Sequence, residues 1–345
     1  MERTGVDEGL RLAADGRPQA PIRRLDLDDW QGEDPAAAAE QVRESLSLTI
    51  GVATRRPPER LRPLLDALTL TLAGPQVAPD ERALVPVEAP EQAYATLTRA
   101  VGRNPRAALA LGQLLRQTPS LGTLQALAAE AAAYSMLLGG IEFAAWRVGR
   151  KTTPTPCDRP LVRADRNGDR LSILLDRPER RNAFSFRMRE ELYEALELAL
   201  LDDTIDEVEL TGAGPVFSSG GDLAEFGSAR DLVAAYLVRL DRGPWRLIHR
   251  LRDRTTVRVQ GAAVGAGIEM AAFAGRVVAS PDAFFLLPEV AMGLVPGAGG
   301  TVSVPRRIGR WRAAWMMLSG ARIDATTALR WGLIDEIDEL DDHDR

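Results

Sequence analysis

Apolar residues recur at helical spacing through much of the first 150 positions. Leu109, Leu111, Leu114 and Leu115 suit one amphipathic helix, and Leu124, Leu127, Ala128, Ala131, Tyr134 and Leu138 suit another. Asn104-Pro105 predicts a helix start, because Pro lacks an amide that the first turn leaves unpaired anyway. Ser120 is expected to cap the following helix through its side-chain oxygen. The stretch from Pro35 to Gly149 is Ala- and Leu-rich with almost no strand signal, so residues 36–149 are expected to form an all-helical domain. Residues 1–35 are charged and weakly periodic, and read as a loosely ordered arm with a short extended piece at 22–27.

After a linker at 150–160, where Pro154 and Pro156 stand among threonines and basic residues, the pattern changes. Residues 171–176 read as a short apolar strand. Ser185 caps a helix that places Met188, Leu192, Ala195 and Leu196 on one face. Val208 and Leu210 alternate as in a strand, and 216–217, 257–259, 277–278 and 284–287 are further strand candidates between helical stretches. Strands alternating with helices indicate an α/β domain over 161–345.

Composition narrows the possibilities. About 45% apolar and 27% charged residues is ordinary globular content, which excludes a disordered, collagenous or coiled-coil chain. A single cysteine, Cys157, excludes an internal disulfide framework and a multi-cysteine metal site. Two histidines, His249 and His343, count against a His-rich metal site or a Ser/His/Asp triad, so no metal is expected. A formal net charge of -6 gives no electrostatic case for nucleic acid or an anionic membrane. No segment reaches the ~18 uninterrupted apolar residues of a membrane span. The nearest, 124–146, is broken by Gln125, Glu130, Ser135 and Glu142. The N-terminus has no apolar run of the kind a signal peptide needs, and with one cysteine a reducing cytoplasm is the expected compartment.

Three glycine-rich turns carry the candidate chemistry. In Phe217-Ser218-Ser219-Gly220-Gly221-Asp222-Leu223, paired glycines allow close backbone approach and leave amides free for developing negative charge. In Gly261-Ala262-Ala263-Val264-Gly265-Ala266-Gly267-Ile268-Glu269, a carboxylate falls in the first turns of an otherwise apolar helix, where it is costly unless exposed, paired or working. In the third, Glu289 stands between an apolar strand and the turn Pro296-Gly297-Ala298-Gly299-Gly300-Thr301. Singly, each has a structural alternative: a tight strand-to-helix connection, a Glu stabilising a helix start, a solvated loop Glu. Neither the P-loop nor the dinucleotide-binding glycine pattern is present.

The combination, in order, resembles the enoyl-CoA hydratase/isomerase (crotonase) superfamily over about half the chain. Arg177-Pro178-Glu179-Arg180-Arg181-Asn182-Ala183 looks like its opening motif. The three turns look like F-x-x-G-x-D, G-x-A-x-G-x-G-x-E and P-E-x-x-x-G-x-x-P-G-x-G-G-T. Ser319-Gly320 and 328–334 look like its closing segment. The resemblance implies a crotonase-like spiral of βαβ units holding an acyl-CoA thioester. The amides of Gly221 and Ala266 would polarise the thioester carbonyl, and Glu269 and Glu289 would hold a water against C3 of a 2-enoyl group. Arg180 and Arg181 would meet the CoA phosphates. Ala183, Ser219, Gly220, Asp222, Leu223, Gly265, Pro288 and Gly297 complete the implied substrate-binding set. Family dehalogenases, some hydrolases and dienoyl isomerases place an Asp at the Gly297 position, and isomerases commonly lack the Glu269 equivalent. Hydration is therefore the implied reaction, with coenzyme A part of the substrate and no separate cofactor. An isomerase, decarboxylase, thioesterase or dioxygenase on a specialised acyl-CoA, or a non-catalytic acyl-CoA-binding or assembly subunit, are the alternatives. The family's C-terminal helices are missing after Ile337, so the N-terminal helices are expected to pack on the catalytic half and to take part in a homo-oligomer, a trimer or hexamer.

Overall fold

The computed structural model describes residues 10–32, 34–77, 81–150 and 157–339. The centre of the expected linker, 151–156, and His343 lie outside the described residues.

The first half is not all-helical. Strands Ile22–Asp26, Leu48–Ala53, Leu70–Ala73 and Leu84–Pro86 form a four-stranded sheet in that order, parallel throughout. Helix Pro35–Glu44 connects the first two strands, and the Asp34 side chain caps it by accepting from Ala36 N at 2.8 Å. Helix Arg62–Ala67 connects the next two. Leu48–Ala53 is buried at every position, as is Leu70–Ala73. A parallel strand covered on both faces shows a continuous apolar run with no alternation, and a short run of that kind looks the same as part of a buried helix. That is why the strands escape the helical reading. Of the expected arm, residues 1–9 and 33 lie outside the described residues, and its extended piece is the edge strand of this sheet, registered from Ile22 opposite Leu48 to Asp26 opposite Val52.

Four helices follow: Pro90–Arg103, Pro105–Gln117, Thr123–Leu138 and Ile141–Arg147. Pro105 opens its helix as expected, but Asn104 does not cap it with its side chain. Its Nδ2 donates instead to Val290 O at 2.9 Å, in the second half of the chain. Ser120 is not a cap either. It ends the 3₁₀ turn Thr118–Ser120, and Gly122 occupies the N-cap of Thr123–Leu138. Among the described residues no single helix is long and apolar enough to cross a membrane. Thr123–Leu138 and Ile141–Arg147 reach that length only as a pair bent by 62°.

The second half holds a six-stranded sheet in the order Glu336–Ile337, Arg276–Ala279, Thr255–Val259, Glu207–Gly212, Arg170–Leu175, Val162–Asn167. All pairs are parallel except the last. A three-stranded sheet, Ala262–Val264, Phe284–Leu286 and Ile323–Asp324, lies alongside it in the chain. Ser185 caps Phe186–Leu201 through Met188 N, as expected. The strand expected at 216–217 is absent. Asn182 Nδ2 holds the Val216 and Phe217 carbonyls at 3.0 and 3.1 Å, and pairing is limited to a bridge between Ser218 and Ala263.

The two halves share one core. Leu111, Leu115, Leu127 and Phe143 from the first belong to the same buried cluster as Leu294, Val302 and Met316 from the second. A smaller cluster, including Leu61, Leu64, Leu68 and Leu84, fills the space between the N-terminal sheet and its helices. The expectation that residues 36–149 pack on the second half is met by this continuity.

Candidate active site

The opening motif is a brace for the first glycine turn. Arg177, buried, donates from Nη1 to Asp222 Oδ2 at 2.8 Å and to Ala183 O at 3.1 Å. Asn182 Oδ1 accepts from Arg177 N at 2.8 Å while its Nδ2 bonds the 213–217 loop. A buried ion pair of this kind is costly to break, because one unpaired charge would remain. Phe184 N donates to Gly220 O and Asp222 N donates to Phe184 O. The intervening Gly221 amide is therefore directed to the other side, where Gly221 lines a cavity of about 490 Å³. Gly220, at φ +87°, has no room for a side chain: a Cβ would stand 2.8 Å from Val264 O.

The second turn supplies the other amide. Ala266 opens the short helix Ala266–Ala271, and a first-turn amide has no partner within its own helix. Ala266 lines the same cavity. Gly265 precedes it at φ +48°, and a Cβ there would lie 2.6 Å from Glu289 Oε1. Glycine at that position thus lets the second turn and the Glu289 carboxyl approach one another.

Glu269 and Glu289 both open on the cavity, and they are only 2% and 6% exposed. Their surroundings differ. Glu269 Oε2 accepts from Ala298 N at 2.7 Å and Gly300 N at 2.9 Å. Burial raises its pKa to about 7, against the pull of those amides and of Arg239. Glu289 Oε2 has no hydrogen-bond partner. Burial, and then the nearby Glu269 charge, hold its carboxyl well above the ordinary range. Neighbouring carboxyls that cannot both ionise freely divide acid and base work between them.

The cavity wall thus contains Gly221, Asp222, Ala266, Glu269, Glu289 and Gly297 from the set implied by sequence. Gly220, Gly265 and Pro288 flank these residues in the chain. Asp222 spends its carboxylate on Arg177, with Arg180 3.6 Å away on the other oxygen. Arg181 sits at φ +53°, its carbonyl accepting from Ser219 N. Ala183 is buried and Leu223 is exposed. His249 has a packing role: its Nε2 lies 2.9 Å from Thr123 Oγ1 and its ring meets Phe273 edge-on.

Three functional candidates were not legible beforehand. Tyr134 and Arg239 line the cavity. The Arg239 guanidinium lies 4.2 Å from the Tyr134 ring centroid, and burial pushes the Tyr134 hydroxyl up to about 12. The ring occupies the space beside Gly297, where a Cβ would meet it at 2.5 Å. The space beside Gly297 is therefore filled from the N-terminal half. Glu130, 2% exposed, accepts from Gly299 N, Thr301 N and Thr301 Oγ1, each at 2.7 Å. The signal that could have found it is the one that marked Glu269: a lone carboxylate inside an apolar helix.

A family model for enoyl-CoA hydratase/isomerase matches residues 167–343, just over half of the chain. The 2,3-dehydroadipyl-CoA hydratase of Escherichia coli (strain K12) is 36% identical over 169 residues, 48% of this chain and 65% of the relative. The 1,2-epoxyphenylacetyl-CoA isomerase of the same organism is 36% identical over 169 residues, 48% of this chain and 64% of the relative. The chain thus spans a little under two thirds of the length of these relatives. Among solved structures, the enoyl-CoA hydratase from Thermoplasma volcanium GSS1 is 33% identical with a TM-score of 0.49, covering 54% of this chain and 73% of that one.

Proposed function

Because the chain belongs to the enoyl-CoA hydratase/isomerase family, we propose that it processes acyl-CoA thioesters by adding water across the C2=C3 bond of a 2-enoyl-CoA. The observation that carries this reading is the pair of buried glutamates opening on one cavity with the Gly221 and Ala266 backbones. In this reading the two amides donate to the thioester oxygen as it becomes enolate-like. Preorganised donors in a site with little water contribute roughly 3 kcal/mol each to such a transition state.

The glutamates then take different parts. Glu269, held at Oε2 by two amides, is fixed in direction and close to neutrality in its proton affinity. It orients the water and takes its proton as oxygen bonds to C3. Glu289, with its proton retained and Oε2 unpartnered, delivers a proton to C2. Proton exchange between the two carboxyls restores the starting state. Arg180 and Arg181 are the cations we assign to the CoA phosphates. A homo-oligomer, trimer or hexamer, belongs to the same proposal.

The test is a mass-spectrometric screen with crotonyl-CoA and a panel of branched and aromatic enoyl-CoAs. A gain of one water is expected, and Glu289→Gln should lower turnover ~100- to 10,000-fold with little change in acyl-CoA binding. Free CoA, loss of carbon dioxide or a product of unchanged mass would overturn hydration in favour of another reaction. Full turnover in Glu289→Gln would remove that residue from the chemistry.

A further inference from the structure

The proposed reaction uses two carboxylates, yet a third lies buried beside them and comes from outside the matched region. Glu130 sits midway along Thr123–Leu138, a helix of the N-terminal half. Four successive amides of one turn alternate between it and Glu269. Ala298 N and Gly300 N donate to Glu269 Oε2 at 2.7 and 2.9 Å. Gly299 N donates to Glu130 Oε1 at 2.7 Å, and Thr301 N and Oγ1 donate to Glu130 Oε2, both at 2.7 Å. The turn therefore presents its donors to two sides, with a carboxylate saturating each. No peptide of the turn can rotate without withdrawing a donor from one of them. The turn also has little freedom to relax. Gly299 stands at φ +94°, with Phe273 and Leu127 against the space where a side chain would be, and Tyr134 closes on Gly297.

We propose that Glu130 is a positioning residue for Glu269: it holds the 298–301 turn in the conformation that delivers two amides to Glu269 Oε2, and so sets the direction in which the other oxygen faces the cavity. A segment outside the catalytic motifs thereby completes the acid/base apparatus. The charges are linked as well. Burial, with the Glu269 charge behind it, raises the Glu130 carboxyl to about 8, while the Thr301 and Gly299 donors pull it back. The ionisable groups around Glu269 are Glu130 and Tyr134 on Thr123–Leu138, Glu289 on the turn Glu289–Met292, and Arg239 on Leu232–Asp241. Helix Gly300–Ile308 adds the Thr301 hydroxyl. Carboxyls this close titrate as a unit. The Ala298 and Gly300 amides pull the Glu269 carboxyl down, so a turn no longer held by Glu130 gives up that pull and leaves Glu269 to titrate at higher pH.

The inference rests on the reading of Glu269 as an acid/base group, but its test does not depend on turnover. The full chain is labelled with δ-¹³C glutamate and titrated by NMR as wild type, Glu130→Gln and Thr301→Val. The Glu269 signal is identified by its loss in Glu269→Gln. Turnover of crotonyl-CoA is measured in parallel. In Glu130→Gln the turn is released, the Ala298 and Gly300 amides that lower the Glu269 carboxyl are withdrawn, and its midpoint is expected to move to higher pH. The loss in kcat should be ~10- to 100-fold with KM within about threefold, since the defect is one of orientation. Thr301→Val, which removes one donor and keeps the shape, should shift both readouts in the same direction by less, and it serves if Glu130→Gln does not fold. An unchanged Glu269 midpoint in a folded variant would overturn the proposal. So would a fall in kcat that follows thermal stability while the midpoint stays in place. If the wild type leaves crotonyl-CoA unchanged, the hydratase reading fails, and the midpoint alone still decides the role of Glu130.

Discussion

The turn at 297–301 is gripped by both halves of the chain, and the two grips differ in kind. From the second half comes Glu269, whose carboxylate spends one oxygen on the turn and opens on the cavity. From the first half come Glu130, which spends both oxygens on the turn, and Tyr134, whose ring abuts Gly297. The same half repeats the device nearby. Glu142 accepts from Arg106 N and Ala107 N at 2.9 and 3.0 Å, closing the start of Pro105–Gln117. A buried carboxylate is tolerated where backbone donors meet it, so one residue type opens on the cavity in one region and is a fastener in the other.

The largest effect that could break this comparison is removal of the fastening half. Residues 158–345 alone would expose the faces of Leu294, Val302 and Met316 that now pack in a core shared with Leu111, Leu115 and Leu127. Burial of such surface is worth ~25 cal/mol per Å². The turn would also lose every donor pairing to Glu130, and Val290 would lose its bond from Asn104. We expect the fragment to be insoluble or unfolded, with no turnover, as judged by circular dichroism and gel filtration. A soluble, active fragment would make the first half an appendage.

The same division explains what could be read from the chain beforehand. In the second half, Gly220, Gly265 and Glu289 stand where backbone must approach backbone or carboxyl, and such constraints restrict residue types enough to leave motifs. The Arg177–Asp222 brace joins residues 45 apart and sits inside two of them. In the first half, the sheet strands carry no alternation because both faces are covered. The Glu130 contacts span 169 and 171 residues, and nothing near Glu130 in the sequence marks its partner. Its apolar setting was visible; its role was not.

A second, smaller effect is the dependence of stability on pH. An ordinary glutamate titrates near 4.3 when unfolded. In the folded protein Glu269 is raised to about 7, Glu130 to about 8 and Glu289 well above the ordinary range, burial being the first cause in each. Between roughly pH 4.5 and 8 the native state therefore binds more protons than the unfolded one, and stability falls as pH rises through that window. Glu209 contrasts with these. Burial pushes it up, but Arg258 and Arg170 bring it below the ordinary value, so its contribution is lost toward acid. The midpoint of thermal unfolding should be several degrees higher at pH 5.5 than at 8.5, and the gap should narrow in Glu130→Gln. A midpoint that stays level over this range would mean the three carboxyls are ionised in the native state.

The smallest effect sharpens the contact between the halves at a single pair. A Cβ on Gly297 would stand 2.5 and 2.6 Å from two carbons of the Tyr134 ring. Gly297→Ala must therefore displace the ring, and overpacking of this kind costs about 1–3 kcal/mol. Tyr134→Ala alone leaves a cavity and costs about 3 kcal/mol or more, as aromatic truncations in a core do. In the Tyr134→Ala background the added methyl enters space already vacated, so Gly297→Ala should be close to neutral there. The double-mutant cycle, measured by urea denaturation, then shows a coupling of about the full cost of the single substitution. Equal costs of Gly297→Ala in both backgrounds would place the Tyr134 ring elsewhere and leave Glu130 as the first half's hold on the turn.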